Sequence, residues 1–587
     1  MTGTRTRPSW SNTKRSKEGD TVLSTTRSTL RNTDVLVVGG GLAGLSTAVF
    51  LAQQGVDCLL VERQPELSGH PRARGVHPRA MELMRAAGVE DEIRAMPSAR
   101  LLAHHSGVIA ARSLAGPELG SLDDKYVMDV GADVASLSPT PWCLCHQGEL
   151  EDVLRDRAER LGVALRFHTE LLSFAQDGPE GEEITARVRD HATGAERTLK
   201  SRYLVAADGA HSGVRESLGI PFGGEVFGHY INVHFRADLT EQLSGRRFLM
   251  CYTFNEQVRG ALMPLDNGTD WLLHISYDAA GTDAGSFTEE RCAELVRAAA
   301  GVPDLEPRIL SLSRWEGAAR TADRFHDERV FLVGDAAHVM PPSGGFGSST
   351  GIQDAHNLAW KLAAVLDGWA GSALLTSYDE ERRPISEATV EQAALRSRDR
   401  LRLLDAPGER RPADPGIVED ALVWLSWRYR SSAVTDWDES VLPGHGVWSA
   451  ENDGRPGSRA PHLRLRRGGA ELSALDLFGS RPVLLTGPDD RAWREAVRAV
   501  SHDLDVPLAL YGIGTEVTDI EDRWPERYGV TAQGAVLVRP DGVVAWRCAD
   551  APVFADRTLR TVLTRLLGRD AEGEAAGTTR REGSGER

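Results

Sequence analysis

The chain has 587 residues and a mass of 63.8 kDa, enough for two to four domains. Hydrophobic residues at 41% and charged residues at 26% describe a globular protein and exclude a disordered one, and the net charge of −17 argues against a nucleic-acid partner. Six scattered cysteines (58, 143, 145, 251, 292, 548) exclude a disulfide scaffold and point to reduced thiols in the cytosol; the close pair Cys143 and Cys145 lacks the further ligands of a zinc site.

Residues 1–33 are Ser/Thr-rich and basic with no apolar stretch after the charges, which predicts a disordered extension and no secretory signal. Val35 to Ala52 runs 18 residues without a charge, but its four glycines and its Ser46-Thr47 suit a buried strand, a turn and a buried helix, not a membrane span. Cys58 to Glu62 reads as the next strand, closing a βαβ unit. An amphipathic helix is predicted over 146–161, with Leu150, Val153, Leu154, Ala158 and Leu161 on one face. Strands follow over 164–204, interrupted by the turn Asp177-Gly178-Pro179. More are expected at Arg247–Phe254, Trp271–Tyr277 and Val330–Val333, and then a long helix behind a glycine loop. A break is predicted near 405–418. Beyond it, Leu475–Phe478, Pro482–Leu485, Ala535–Val538 and Val543–Trp546 read as strands, and Arg491–His502 and 556–567 as helices. The tail from Gly568 is Gly/Glu/Arg-rich and expected to be disordered.

Three segments carry chemistry. Gly39-Gly40-Gly41-Leu42-Ala43-Gly44 is a G-x-G-x-x-G between strand and helix, with Glu62 ending the second strand. Glycines there allow close backbone approach to a pyrophosphate, and the carboxylate can accept from a ribose. The second segment is Asp208-Gly209 after the strand ending at Ala207. The third runs from Gly334-Asp335 through Pro341-Pro342-Ser343-Gly344-Gly345-Phe346-Gly347 into Gly351-Ile352-Gln353-Asp354, a glycine loop that opens a helix.

In this order and spacing, together with Pro71-Arg72-Ala73-Arg74-Gly75, Gln147 and Tyr378-Asp379-Glu380-Glu381-Arg382-Arg383-Pro384, these segments resemble the flavin-dependent aromatic hydroxylases related to para-hydroxybenzoate and phenol hydroxylase. The aromatic polyketide hydroxylase subgroup is the nearest. The resemblance covers residues 33–400. It implies an α/β fold: a Rossmann-like FAD-binding domain over 34–224 and 320–404, and an inserted mixed-sheet substrate domain over 225–319 with contributions from about 100–140. A thioredoxin-like domain over 440–568 completes it.

By the same resemblance Gly39, Gly41 and Gly44 face the FAD pyrophosphate and Glu62 the adenosine ribose, and Arg63 is a further cofactor-binding residue. Arg72 or Arg74 approaches the phosphates or the flavin, Gln147 the ribityl chain, and Asp208-Gly209 the FAD and nicotinamide contacts. Asp335 binds ribityl hydroxyls. Pro342, Gly344, Gly345, Gly347, Ser348 and Ser349 cradle the flavin, with Pro342 bordering the substrate. Where the family carries an asparagine after this loop, the chain has Ser348-Ser349-Thr350.

The implied reaction takes NAD(P)H and dioxygen and passes one oxygen, through a flavin hydroperoxide, to a polycyclic phenol. Baeyer–Villiger oxygenation of a polycyclic ketone, hydroxylation of a single-ring phenol and a non-catalytic FAD-binding role are the alternatives. No G-W-x-W-x-I-P segment marks a halogenase. A small-molecule aromatic substrate, no nucleic acid, no membrane and a homodimer are the expected partnerships. His338 and His356 read as structural, Trp142, Trp315 and Trp360 as packing, and no base stands out over 225–277. The C-terminal part has Cys548 alone, which excludes dithiol exchange within it.

Overall fold

The computed structural model describes residues 32–105, 107–122, 131–176, 183–266, 268–405, 414–435, 447–448 and 453–569. The extension expected over 1–33 (save its last two residues), the Asp177-Gly178-Pro179 turn, most of the break near 405–418 and the tail from 570 lie outside them.

The uncharged stretch at the start resolves into the strand Thr33–Val38 and the helix Leu42–Gln53, nearly all of it buried. The β-branched strand is central in a parallel array ordered Val330–Leu332, Glu196–Ala206, Thr33–Val38, Cys58–Val61, Ala164–Arg166. Parallel strands are covered on both faces, which is why these read as continuous apolar runs. The carboxyl ends of four of them, at Val38, Val61, Ala206 and Leu332, open on one edge. There lie all three glycine or aspartate segments, at the place where open α/β sheets bind ligands.

The second sheet has eight strands. Its central members are Arg308–Ala322, Phe222–Arg236, Asp270–Tyr277, Arg259–Pro264 and Met250–Phe254, and Val108–Ala111 and Glu118–Leu122 extend one edge. One face buries Ile231, Val233, Phe235, Leu273 and Ile275 under the helix Glu289–Ala300. Alternation then sends Asn232, His234, Leu272 and His274 to the other face. Strand Arg308–Ala322 carries a bulge against its neighbour: Ile309 pairs with Phe235, but Ser311 pairs with His234. The extra residue, Leu310, inverts the alternation and brings Ser311, Ser313 and Trp315 onto the face of Asn232 and His234.

In the C-terminal part, Val483–Thr486 pairs parallel with Ala509–Gly512 and antiparallel with Ala535–Val538, which pairs with Val544–Cys548. Helices Arg491–Leu504 and Ala555–Leu566 pack on this sheet, and Trp360 and Trp369 of the first domain enter the same core. Buried ions seal the junction. Glu381 accepts from Lys361 Nζ (2.8 Å) and Arg539 Nη2 (2.8 Å), and Arg459 pairs with Glu82. A buried pair stabilises only when its remaining polar atoms are also satisfied, and Ser431 and Asn357 add their donors to Glu381.

Two expected strands differ. Leu475–Phe478 is a 3-10 turn, Ala474–Leu477, because Ser473 Oγ accepts from Leu475 N (3.1 Å) and Asp476 accepts from Ser473 N (2.8 Å), a cap that strand pairing cannot offer. The strand expected from Arg247 begins only at Met250.

Candidate active site

The three segments meet in one cleft of about 940 Å3 that continues onto the open face of the second sheet. Gly39 (φ +108°) has no alternative: a Cβ there would sit 2.2 Å from the Ala207 carbonyl oxygen. Gly44 is fixed by close helix–strand packing, since its Cβ would lie 1.9 Å from Gly39 O, so it stands behind the cleft and not in it. Gly41 differs from both. Its φ is −77°, and the nearest atom to a Cβ would be Glu151 Oε1 at 3.9 Å. The fold does not require a glycine there, which leaves room for a ligand against the helix start.

Glu62 holds its carboxylate against the glycine turn, accepting from Gly40 N (2.6 Å) and Gln64 N (2.8 Å), and Arg63 lines the cleft beside it. Arg72 reaches both oxygens of Glu151 (2.9 and 2.8 Å). Gln147 donates to the same carboxylate (2.7 Å) and accepts from Ala73 N (3.2 Å). Glu151, absent from the sequence reading, is thus the post on which this wall hangs. Burial raises its carboxyl above the ordinary value, and Arg72 opposes that shift. Arg74 turns to the second sheet, donating to Pro264 O (2.8 Å) and to Leu249 O, and burial lowers it to about 10.

Asp208 accepts from Val214 N (3.2 Å) through Oδ2, while its buried Oδ1 has no partner among the described residues; burial raises its carboxyl. Gly209 follows in the left-handed region (φ +85°). Asp335 projects into the cleft, where the protein around it raises its carboxyl too. Arg215 donates to Ala336 O (2.9 Å) and Ala210 O (3.0 Å), tying the Asp208 and Asp335 turns together. The glycine loop turns through Gly344 (φ +90°) and Gly345 (φ +65°) into the helix Phe346–Leu366. Pro342, Gly344, Gly345, Gly347 and Ser348 border the cleft. Ser349 is buried behind it and accepts from His77 N (3.1 Å).

These residues fit FAD: a cradle at Gly41 that a Cβ would fill, an orphaned acceptor at Asp208, a strand-end acid at Asp335 and main-chain donors at a helix start.

The far part of the cleft was less legible. Trp315 and Trp142, read as packing, both line it; Trp360 is packing, buried under the C-terminal part. Trp315 Nε1 donates to Asn232 Oδ1 (2.6 Å) and its ring stacks on Tyr230 at 4.5 Å. His274 lies beside them, held neutral by burial with a pKa lowered to about 3. Trp142, Phe346 and Trp424 also line the cleft, with His77 packed among them. His338 and His356 are structural: His338 is buried on Asp354 (2.7 Å), and His356 packs edge-on to Phe50. Among the described residues no cluster of His, Cys, Asp and Glu is placed to hold a metal, and no helix is long and apolar enough to cross a membrane.

Comparison with known proteins identifies the domains that carry this cleft. The FAD binding domain model matches residues 32–393, and the aromatic-ring hydroxylase C-terminal model matches 453–570. The aklavinone 12-hydroxylase of Streptomyces purpurascens is 41% identical over 539 residues, covering 91% of this chain and 99% of its own. A 4-methyl-5-nitrocatechol 5-monooxygenase of a Burkholderia species is 42% identical over 546 residues, covering 91% and 97%. The crystal structure of aklavinone-11 hydroxylase with FAD and aklavinone superposes with a TM-score of 0.82 at 40% identity, over 92% of this chain and 99% of that one.

Proposed function

This chain belongs to the family of FAD-dependent aromatic-ring hydroxylases, and on that premise we propose that it hydroxylates a phenolic or quinonoid ring of a fused-ring aromatic polyketide. The observation that carries the reading is the continuity of the cleft, from the Gly41 cradle to a flat wall of Trp315, Asn232 and His274. Bound FAD supplies the redox chemistry, taking electrons from NAD(P)H and activating dioxygen.

The chain's own residues do the rest. Main-chain N–H groups at Gly41 receive the pyrophosphate, Glu62 the adenosine ribose and Asp335 a ribityl hydroxyl. Asp208 Oδ1 takes the donor it lacks. The aromatic wall of Trp142, Phe346 and Trp424 and the apolar side chains Leu249 and Met263 keep water from the reacting ring, which matters because in a wet site the activated oxygen is lost as hydrogen peroxide and the reductant is wasted. Gly44 and Ser349 serve the site from behind.

The parallel pair, antiparallel hairpin and two flanking helices of the C-terminal part support a thioredoxin-like domain with a structural role. A cytosolic location is supported by Cys58, Cys143, Cys145, Cys251 and Cys292, all buried as thiols.

The test is coupled turnover. Fused-ring phenols are expected to accelerate NAD(P)H oxidation and to yield products heavier by one oxygen. Efficient coupling of single-ring phenols, the size the Burkholderia relative is named for, with no binding of fused-ring ones overturns the polyketide assignment. A ring-expanded lactone as product would instead establish Baeyer–Villiger chemistry.

A further inference from the structure

The hydroxylation reading leaves one chemical need unassigned. A phenol attacks an electrophilic oxygen better as its phenolate, so some group must accept the hydroxyl proton. We propose that His70 is that group, receiving the substrate's phenolic proton on Nε2. The proposal rests on the reading above that the substrate is a phenol.

His70 lies on the loop between the strand Cys58–Val61 and the helix Pro78–Ala86 and lines the same cleft as Asn232, His274 and Trp315. Its Nδ1 is 2.8 Å from Ser311 Oγ, on the strand whose bulge turns Ser311 inward. Its Nε2 is buried and has no hydrogen-bond partner among the described residues. A buried polar atom left unmade costs free energy, so an arriving group that completes it is favoured. With the ring proton on Nδ1 and given to Ser311, Nε2 carries a lone pair at the cleft wall, and a small shift of the side chains covering it admits the phenol O–H that satisfies it.

The other ionisable groups nearby are committed or too weak. His234 is bonded to Asp270 at 2.6 Å. His274 is a weak base, its pKa lowered by burial to about 3. Arg74 is spent on two carbonyls, Arg72 on Glu151, and Asp335 belongs to the cofactor turn. Burial first, then the neighbouring His234 and Arg72, lowers the His70 pKa, so at neutral pH the imidazole is uncharged and ready to accept.

The step is a proton transfer alone. The phenolic O–H bond breaks, its electron pair stays on oxygen, and an N–H bond forms at Nε2. The imidazolium then gives up its other ring proton, from Nδ1, to solvent by way of the half-buried Ser311 Oγ (2.8 Å).

The test uses the full-length holoenzyme and its His70→Gln and Ser311→Ala variants. Wild type is expected to show the phenolate absorbance of the bound substrate below that phenol's solution pKa. His70→Gln is expected to bind the phenol protonated, with kcat at pH 7 down about 10²–10⁴-fold, KM within about threefold, and activity recovering as pH rises through the phenol's own pKa. Ser311→Ala, which frees the ring without removing it, should lie between the two. A phenolate spectrum and a kcat unchanged in His70→Gln overturn the proposal, and so does a loss confined to FAD content. If only single-ring phenols are substrates, the same spectra on those phenols still decide the role of His70, whereas the polyketide reading alone falls.

Discussion

Asp354 accepts a hydrogen bond from the main-chain N–H of Gly334 at 3.1 Å, so the helix after the glycine loop grips the strand-end turn that carries Asp335. The same carboxylate takes His338 Nε2 (2.7 Å) and Arg382 Nε (2.7 Å), all of it buried, and Arg382 continues to the Tyr429 hydroxyl (2.9 Å). The Arg382 guanidinium and His338 hold the Asp354 carboxyl below its ordinary value against the pull of burial. Asp354→Asn keeps the shape and removes the charge, leaving Arg382 buried without its counter-ion, a loss of about 3–5 kcal/mol. The expected outcome is a lower thermal midpoint together with an FAD affinity weakened at least about tenfold, read by flavin titration of the apoprotein. An unchanged FAD affinity would separate this helix from the cofactor turn.

The glycine turn offers a sharper contrast. Gly41→Ala meets no protein atom closer than 3.9 Å and keeps an ordinary φ, so the variant should fold with wild-type circular dichroism and emerge without yellow colour. Gly39→Ala meets the Ala207 carbonyl oxygen at 2.2 Å at a φ of +108°, and should fail to accumulate as folded protein. A flavin-loaded Gly41→Ala would remove the pyrophosphate from that position.

What was legible in the sequence follows from how local each feature is. Gly39, Glu62, Asp208 and Asp335 each follow closely on the apolar end of a strand, so strand end, turn and residue lie within a few positions of one another. Trp315 and His70 depend on something non-local: the Leu310 bulge, visible only once Ser311 is seen opposite His234. Strict alternation read without it sends Ser311, Ser313 and Trp315 to the wrong face, and His70 lies far in sequence from residues 225–277, where no base stands out. Glu151 was hidden for a related reason, since its partners Arg72 and Gln147 come from a distant loop and from its own helix.

Acid should destabilise the protein from below pH 6.5. His77 and His356 are held neutral by burial, with folded pKa values lowered to about 3 and about 4. The unfolded histidine titrates near about 6.5, so between these values the unfolded chain binds more protons and stability falls as pH falls, by about 1.4 kcal/mol per unit for each group. Urea midpoints measured from pH 7.5 to 4.5 should decline with that sign, and His356→Gln should flatten the slope. A slope identical to wild type would mean that His356 is not buried neutral.

The C-terminal part is expected to be inert in thiol chemistry. Cys548 is the sole cysteine between residues 453 and 569. Cys548→Ser should therefore leave kcat and the thermal midpoint within error. A large fall in turnover at unchanged stability would show redox participation.

Substrate size should be read by Trp315. Its indole N–H holds Asn232 at 2.6 Å, and its ring, stacked on Tyr230 at an interplanar angle of 18°, presents a broad flat surface to the cleft. Trp315→Leu removes that surface and leaves the Asn232 carbonyl without its donor, two losses of about 1 kcal/mol or more each. For a fused-ring phenol lying along the whole wall, KM should rise roughly 10- to 100-fold with kcat much less affected, because the ring contributes binding and no proton transfer. A single-ring phenol covers less of the wall and should lose less. Flavin content should stay as in wild type, since Trp315 lies on the sheet and the cofactor fingerprints lie on the strand-end turns. Equal KM changes for small and large phenols would mean that Trp315 shapes the cleft without contacting the outer rings, and the fused-ring assignment would lose its structural support at this wall.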